Sequence, residues 1–182
     1  PEILAQARNQ LRHVISPLTL NFHNEDINHF VLQSERQEAY DVLIAHAVVD
    51  LIDAAHLIPK LIDLVRIDGV LYFPITFDGE SIFEPAHIDD NKILNYYHST
   101  MEMAGGDSKA GRHLFHILNR AGAHILDVGS SDWVIFPMEG TYPADEAYFL
   151  TFIIETIRHA VAESSVALQE TVHAWAEARL AS

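Results

Sequence analysis

A histidine and an aspartate follow the first strongly apolar segment of the chain, at a spacing that could support acid–base chemistry. His46 and Asp50 lie just beyond an apolar run that begins at Tyr40. Imidazole titrates near neutral pH, so His46 could take a proton from an attacking hydroxyl or amine. It could equally order the surrounding loop by hydrogen bonding. Asp50 could orient His46 or cap the following helix, and the sequence favours the cap.

A polar segment rich in turn residues runs from Thr76 to Asp107 and contains two tyrosines followed by a histidine. Loops of this kind carry ligands in many α/β enzymes. We therefore expect Tyr96, Tyr97 and His98 to bind a small-molecule substrate. The alternative is a plain surface excursion with no ligand.

The chain has twelve histidines, which raises the question of a metal site. His113 and His116 lie three residues apart on a predicted helix, a spacing that can supply two zinc ligands when others converge. No HExxH motif accompanies them, and an isolated pair usually lies on a helix surface, so we predict no metal. The absence of cysteine removes disulfides, thiolate metal ligands and a cysteine nucleophile.

Composition limits the partners that the protein can have. The 182 residues are enough for one substantial domain, and 26 acidic against 11 basic residues give a formal net charge of −15. So negative a surface repels nucleic acid and anionic lipid. No apolar run reaches the length of about 18 residues that suggests a transmembrane helix. We therefore expect a cytoplasmic protein with a small-molecule partner and neither a nucleic-acid nor a membrane partner.

The middle of the chain predicts one strand–helix–strand unit of a parallel sheet. The run from Tyr40 to Ala47 is mainly apolar, with Val42, Leu43 and Ile44 at its centre, as expected for a strand buried on both faces. Asp53 can cap the next helix, and Asp68-Gly69 then turns the chain into a second strand, Val70 to Phe73. Parallel sheets bind ligands at the carboxyl ends of their strands, which is where His46 lies.

Further elements are predicted on both sides of this unit. Before it the sequence indicates a helix over Pro1 to Ile15, a short strand over Leu18 to Phe22 and a short helix over Val31 to Ala39. After it we expect a helix capped at Asp107-Ser108 and closed by Gly122, then a hairpin of strands Ile125–Val128 and Trp133–Phe136. Two helices, over Tyr148 to Val161 and Ser165 to Leu180, complete the prediction.

Several segments resemble the class I S-adenosylmethionine (SAM) dependent methyltransferases, from the second helix of that family onward. They are Glu2–Arg8, Phe22–Ile27, Tyr40–Val49 and Gly69–Phe73, followed by the Ala110–Leu114 helix and the final hairpin. The likeness spans residues 1 to 137. It implies an α/β fold with a Rossmann-like methyltransferase sheet, mostly parallel with a C-terminal antiparallel hairpin and lacking the first two strands. Residues 138–182 would form a helical extension packed on it.

The resemblance also implies a function, the transfer of a methyl group from SAM to a small-molecule acceptor. Asp26 and Ile27 match the family position that meets the adenine ring, although a solvated turn is the alternative for these residues. Ala45 and His46 match the end of the fourth strand, beside the methyl donor. The implied cofactor-binding residues are therefore Asp26, Ile27, Ala45 and His46, with His46 also catalytic.

Two parts of the family pattern have no counterpart in this sequence: the glycine-rich loop that cradles SAM and the second strand. We therefore expect a truncated or partly observed chain, for which SAM binding by this chain alone is in question. The alternative is a degenerate methyltransferase-like domain that serves as a binding or dimerisation module without catalysis. Without strand one, residues Val42 to Ala45 would form an apolar sheet edge, which predicts either a homodimer through that edge or cover from the chain's own helices.

Overall fold

The computed structural model describes residues 2–11, 19–74, 76–162 and 166–181. Within these ranges the architecture is mixed helix and sheet. The elements are α1 (Glu2–Leu11), α2 (Ile27–Phe30), β1 (Tyr40–Ile44), α3 (Ala54–Leu64), β2 (Val65–Tyr72), α4 (Asp90–Met103), α5 (Ala110–Arg120), α6 (Asp145–Ala162) and α7 (Val166–Ala181). Short 3-10 turns lie at Ser34–Arg36 and Val49–Leu51. Pro1, residues 12–15, Leu18 and Ser165 of the predicted elements lie outside the described residues.

The predicted strand–helix–strand unit is present, and its two strands are parallel. Val42 pairs with Val70 and Ile44 with Tyr72. Asp53 caps α3 as predicted, because its side chain accepts a hydrogen bond of 3.1 Å from the backbone N–H of His56. β1 is shorter than predicted and ends at Ile44.

The predicted Asp68-Gly69 turn lies inside β2, as a local irregularity of the strand. Tyr40 pairs with Val65, whereas Val42 pairs with Val70, so extra residues bulge out of β2 between the two pairs. Asp68 has a φ of 66°, a left-handed conformation. A Cβ atom at Gly69 would lie 2.9 Å from the Asp41 carbonyl oxygen, so the bulge needs glycine there.

Helices cover one face of this sheet. Leu43 and Phe73 pack against a buried cluster to which α3 contributes Leu57, Leu61 and Leu64. Ala45 packs against a neighbouring cluster that includes Val49, Ala54, Ile58 and Ala110, the last from α5. Phe73 contacts both clusters, so α3 and α5 together form the layer beneath the strands.

The prediction that β1 is buried on both faces is wrong. Val42 is 52 % exposed and Ile44 is 62 % exposed, while their register partners Val70 and Tyr72 are exposed as well. These four residues form one contiguous surface, which we call the open sheet face. The cause is that α3 packs on the opposite face, where Leu43 and Ala45 point.

Other predicted elements differ from the structure in the middle and late parts of the chain. The segment from Thr76 to Asp107, predicted as a loop, contains the helix α4. The sequence of α4 is mostly polar, and tertiary packing buries its apolar pair Ile93 and Leu94. Residues 19–22 form no strand, and only the 3-10 turn Ser34–Arg36 occurs within 31–39.

The predicted antiparallel hairpin is also wrong. Residues 125–136 form no regular strand, and most of the large apolar side chains there are exposed, namely Leu126, Val128, Trp133, Val134 and Phe136. A hairpin needs an apolar face packed on a core, and these side chains lack one. The helix α5 does end where predicted, at Gly122 with a φ of 83°.

A second core lies between α4, α6 and α7, and a buried ion pair fixes its edge. Asp90 Oδ1 accepts a hydrogen bond of 2.7 Å from the Trp175 indole, and the Asp90 carboxylate accepts two of 2.6 Å from Arg179. The Arg179 side chain is only 6 % exposed. Burial alone would raise the pKa of Asp90, but hydrogen bonds from Trp175, the His87 backbone and Arg179 hold that pKa below its usual value.

This ion pair should stabilise the fold measurably. We expect Arg179→Met to lower the free energy of unfolding by about 3 kcal/mol, because it leaves the Asp90 carboxylate largely buried without its cation. As a control, Arg66→Met removes an ion pair with Asp41 in which the arginine is 53 % exposed, and should cost at most about 1 kcal/mol. Denaturant unfolding of both variants measures the difference.

The effect should also depend on pH. Because the folded-state pKa of Asp90 is depressed, its contribution is fully present above about pH 4 and disappears as the pH falls through the lower folded value. Equal losses in the two variants at neutral pH would show that Asp90 and Arg179 are not a coupled buried pair.

Candidate functional site

The carboxyl ends of the two parallel strands lie side by side, and His46 stands at this edge. The backbone N–H of Ala45 donates to the Tyr72 carbonyl over 3.1 Å, and that of Ala47 donates to the Pro74 carbonyl over 3.2 Å. His46 lies between these bonds, so its backbone is held while its side chain is exposed. Ala47 has a φ of 52°, which marks a tight, strained turn directly after the histidine.

Asp50 lies in the 3-10 turn between β1 and α3. Its backbone carbonyl accepts a hydrogen bond of 2.9 Å from the N–H of Asp107, at the far end of the α4–α5 connection. Burial raises the pKa of the Asp50 carboxyl, although its own backbone N–H opposes the shift. The interpretation of Asp50 as a helix cap is wrong, because Asp53 occupies that position.

A surface cleft of about 220 Å³ opens beside this turn. Its lining comes from the turn and from the end of α4, namely Asp50, Leu51, Thr100, Met101, Ala104 and Gly106. A Cβ atom at Gly106 would lie 2.5 Å from the Asp50 carbonyl oxygen, so only glycine allows this approach. Sequence reasoning missed the contact because it joins residues far apart in the chain. The one local sequence signal for this contact is the Gly105-Gly106 pair.

The three predicted substrate residues lie on α4, not in a loop. Tyr97 packs against the α4–α6–α7 core, where burial raises the pKa of its hydroxyl and the negative charge of Asp50 raises it further. Tyr96 packs against the α4–α6–α7 core. The Nε2 atom of His98 is buried and cannot reach a substrate. This ring nitrogen therefore gives no support to the prediction that His98 binds substrate.

His98 instead belongs to the packing under α4. Its ring lies edge-on to Phe77, with 5.6 Å between ring centroids. Burial lowers the pKa of His98, although the charges of Glu80 and Glu102 oppose the shift, so the ring is neutral at neutral pH. The Glu102 carboxylate also accepts a 3.0 Å hydrogen bond from Ser108, which is fully buried.

Asp26 and Ile27 lie at the start of α2, with distinct local roles. The Asp26 carboxylate caps the helix by accepting a 2.8 Å hydrogen bond from the Asn28 backbone N–H, and this bond lowers the pKa of Asp26. Ile27 packs against the α3 cluster that also holds Leu43. The Asp26 side chain is exposed to solvent.

Clustered metal ligands and membrane-spanning helices are both absent from the described ranges. No group of three or more histidine, aspartate or glutamate side chains there could hold a metal ion. His113 Nδ1 lies 2.6 Å from Asp107 Oδ2, which ties the start of α5 to its preceding turn. In the same ranges no helix combines the length and apolar character needed to cross a membrane.

Comparison with protein-family models and with curated proteins finds no match to this chain. The site therefore has to be interpreted from its own geometry. That geometry brings the Asp50 turn against Gly106 at the end of α4, keeps His46 at the carboxyl edge of the sheet, and places Asp26 at a separate helix start.

The contact at Gly106 should control the position of the Asp50 turn. We expect Gly106→Ala to displace the turn, to lower the free energy of unfolding by about 1–3 kcal/mol, and to speed hydrogen exchange of the Asp107 amide. Gly129→Ala is the matched control, because a Cβ atom there meets no neighbour within 4 Å. An Asp107 amide as protected in Gly106→Ala as in the parent would contradict the constraint.

Proposed function

We propose that this chain carries part of the active site of a SAM-dependent methyltransferase that acts on a small molecule, built on a Rossmann-like sheet. The observation that supports the proposal is the placement of His46. It follows the carboxyl end of β1, beside the end of the parallel strand β2, with an exposed imidazole on a fixed backbone. Open parallel sheets bind their ligands at this edge.

The described residues fit SAM only on the adenine side. The exposed Asp26 carboxylate would accept from the adenine amino group, and the Ile27 backbone would meet the ring. Gly105 and Gly106 precede α5, and Gly106 engages the Asp50 turn, so the pair does not provide a phosphate-type or methionine-binding glycine loop. When bound, SAM supplies an electrophilic methyl group on a sulfonium.

His46 is the residue that we assign to proton transfer. An acceptor hydroxyl or amine gives up a proton as it becomes a nucleophile, and an exposed imidazole nitrogen at the strand edge can take it. Beyond that proton, methyl transfer depends on alignment and on exclusion of water. Asp50 lies in the 3-10 turn that follows β1, and we assign Asp50 and Tyr97 to positioning the acceptor.

Calorimetry with S-adenosylhomocysteine tests cofactor binding directly. We expect Asp26→Asn to weaken binding by at least about tenfold, because a hydrogen bond to a charged group contributes roughly 1.5–3 kcal/mol. Asp127→Asn removes the same charge from a segment outside the proposed site and should leave binding unchanged. His46→Asn should bind the ligand normally but lower the methylation rate by about a hundredfold or more.

If millimolar S-adenosylhomocysteine produces no heat of binding with the parent chain, the cofactor assignment for this chain is wrong. Full activity in His46→Asn would remove the proton-transfer role while leaving cofactor binding intact. The two outcomes are separate, since the first is read without any acceptor present.

A second candidate is a dimerisation module without catalysis, and the open sheet face favours it. A two-stranded sheet is marginal by itself, and an apolar strand without a neighbour is a template for pairing. A second copy that pairs β1 with its own β1 would form a four-stranded sheet and protect the β1 amides that point away from β2, those of Val42 and Ile44. The apolar residues of the open face would then lie next to those of the partner.

Sedimentation of the purified chain distinguishes this candidate. We expect a concentration-dependent dimer that Val42→Lys converts to monomer, because a charged side chain in the middle of an edge strand opposes pairing. Ile88→Lys is the control, since Ile88 is 94 % exposed and lies outside the sheet. A monomer whose β1 amides exchange freely would exclude the dimer.

A further inference from the structure

The Asp50 carboxylate is an acceptor whose partner is not a basic side chain of the described chain. The arginines that form ion pairs in the described ranges engage other acids, namely Glu25, Asp41, Asp78, Glu155 and Asp90. Burial raises the pKa of the Asp50 carboxyl, and the group in the described chain that opposes this shift is the backbone N–H of Asp50 itself. A partly buried carboxylate without a counter-ion is unfavourable, so a bound cation would stabilise it.

The rest of the cleft has the character of a site for a hydrogen-bond donor with an apolar body. Leu51, Met101 and Ala104 provide apolar walls. The Thr100 hydroxyl donates its proton to the Tyr97 carbonyl over 2.7 Å, so it presents its lone pairs as an acceptor. Two acceptors, Asp50 and Thr100, therefore stand at the apolar cleft.

Size and long-range charge restrict the ligand further. A cleft of about 220 Å³ holds a small ring or a short alkyl chain, below the usual range for drug-sized ligands. The net charge of −15 raises the local concentration of cations near the surface and repels anions. An acidic or phosphorylated molecule is therefore a poor fit to this cleft.

We propose that the Asp50 cleft binds the ammonium group of a small apolar amine, and that such an amine is the methyl acceptor. For transfer the ammonium would first give up one proton to His46, the proposed base, so that the nitrogen lone pair could form the new N–CH3 bond while the S–CH3 bond of SAM breaks and S-adenosylhomocysteine leaves. The ammonium would donate to the Asp50 carboxylate and the Thr100 hydroxyl oxygen, with its apolar body against Leu51 and Met101. The identification of this amine as acceptor rests on the proposed methyltransferase function, whereas the binding site itself does not.

Nuclear magnetic resonance titration of the full chain, without SAM, tests the site. The probes are benzylamine, which is cationic at pH 7, and benzyl alcohol, its neutral counterpart of similar shape. We expect benzylamine to shift the signals of Thr100 and Met101 and to bind at least about tenfold more tightly than benzyl alcohol. Asp50→Asn should abolish this preference, and Asp127→Asn should preserve it.

Several outcomes would overturn the proposal: equal affinity for the two probes, an Asp50→Asn variant that keeps the preference, or shifts that map outside the cleft. Because Asp50 contacts Asp107 through its backbone carbonyl, the Asn variant should keep the Asp107 amide protected, which verifies its fold. If that protection is lost, Thr100→Val provides the second variant, and unchanged benzylamine affinity there overturns the proposal. Amine binding without S-adenosylhomocysteine binding would support the amine site and contradict the methyltransferase function. Binding of S-adenosylhomocysteine without amine binding would support that function and overturn the amine site.

Discussion

Packing of α3 against one face of the β1–β2 pair is the constraint on which the rest of the structure depends. The two faces of the helix serve two clusters, with Leu57, Leu61 and Leu64 in one and Ala54 and Ile58 in the other. The first cluster holds α2 beneath the strands, and the second holds α5 and the 3-10 turn that carries Asp50. Burial of the leucine and isoleucine side chains, each contributing roughly 1.5–3 kcal/mol, fixes the carboxyl edge of the sheet.

The parts of the fold that could be predicted have strong local signals. Asp53 precedes an apolar helical stripe, and the flanking apolar runs have the length of strands, so β1, α3 and β2 follow from neighbouring residues alone. The helix α4 was missed because its sequence is rich in asparagine, tyrosine, serine and threonine, and only distant contacts with α6 and α7 bury Ile93 and Leu94. The hairpin was predicted from the same kind of local signal, but no packed face supports residues 125–136.

The residues of the candidate site also fall into those that local sequence predicts and those that only tertiary structure brings together. His46 could be placed because it follows a strand directly, and position relative to a strand is a local property. Asp50 and Gly106 come together only because α4 returns to the sheet edge, a contact between residues that are distant in sequence. The burial that raises the pKa of the Asp50 carboxyl is therefore a product of tertiary structure. Asp26, by contrast, takes the helix-cap role that aspartate commonly has and remains remote from this cluster in its contacts.

The junction between α3 and β2 has a mechanical consequence. Leu64 ends the helix and Val65 begins the strand, with no loop between them. Because no flexible loop separates the two elements, a rotation of α3 about its axis would also displace β2. The bulge around Gly69, where the register with β1 shifts, is the nearest point of compliance. The N-terminal end of the helix adjoins the Asp50 turn, so a displacement of that turn would reach the bulged half of the sheet through a helix that can bend at Pro59.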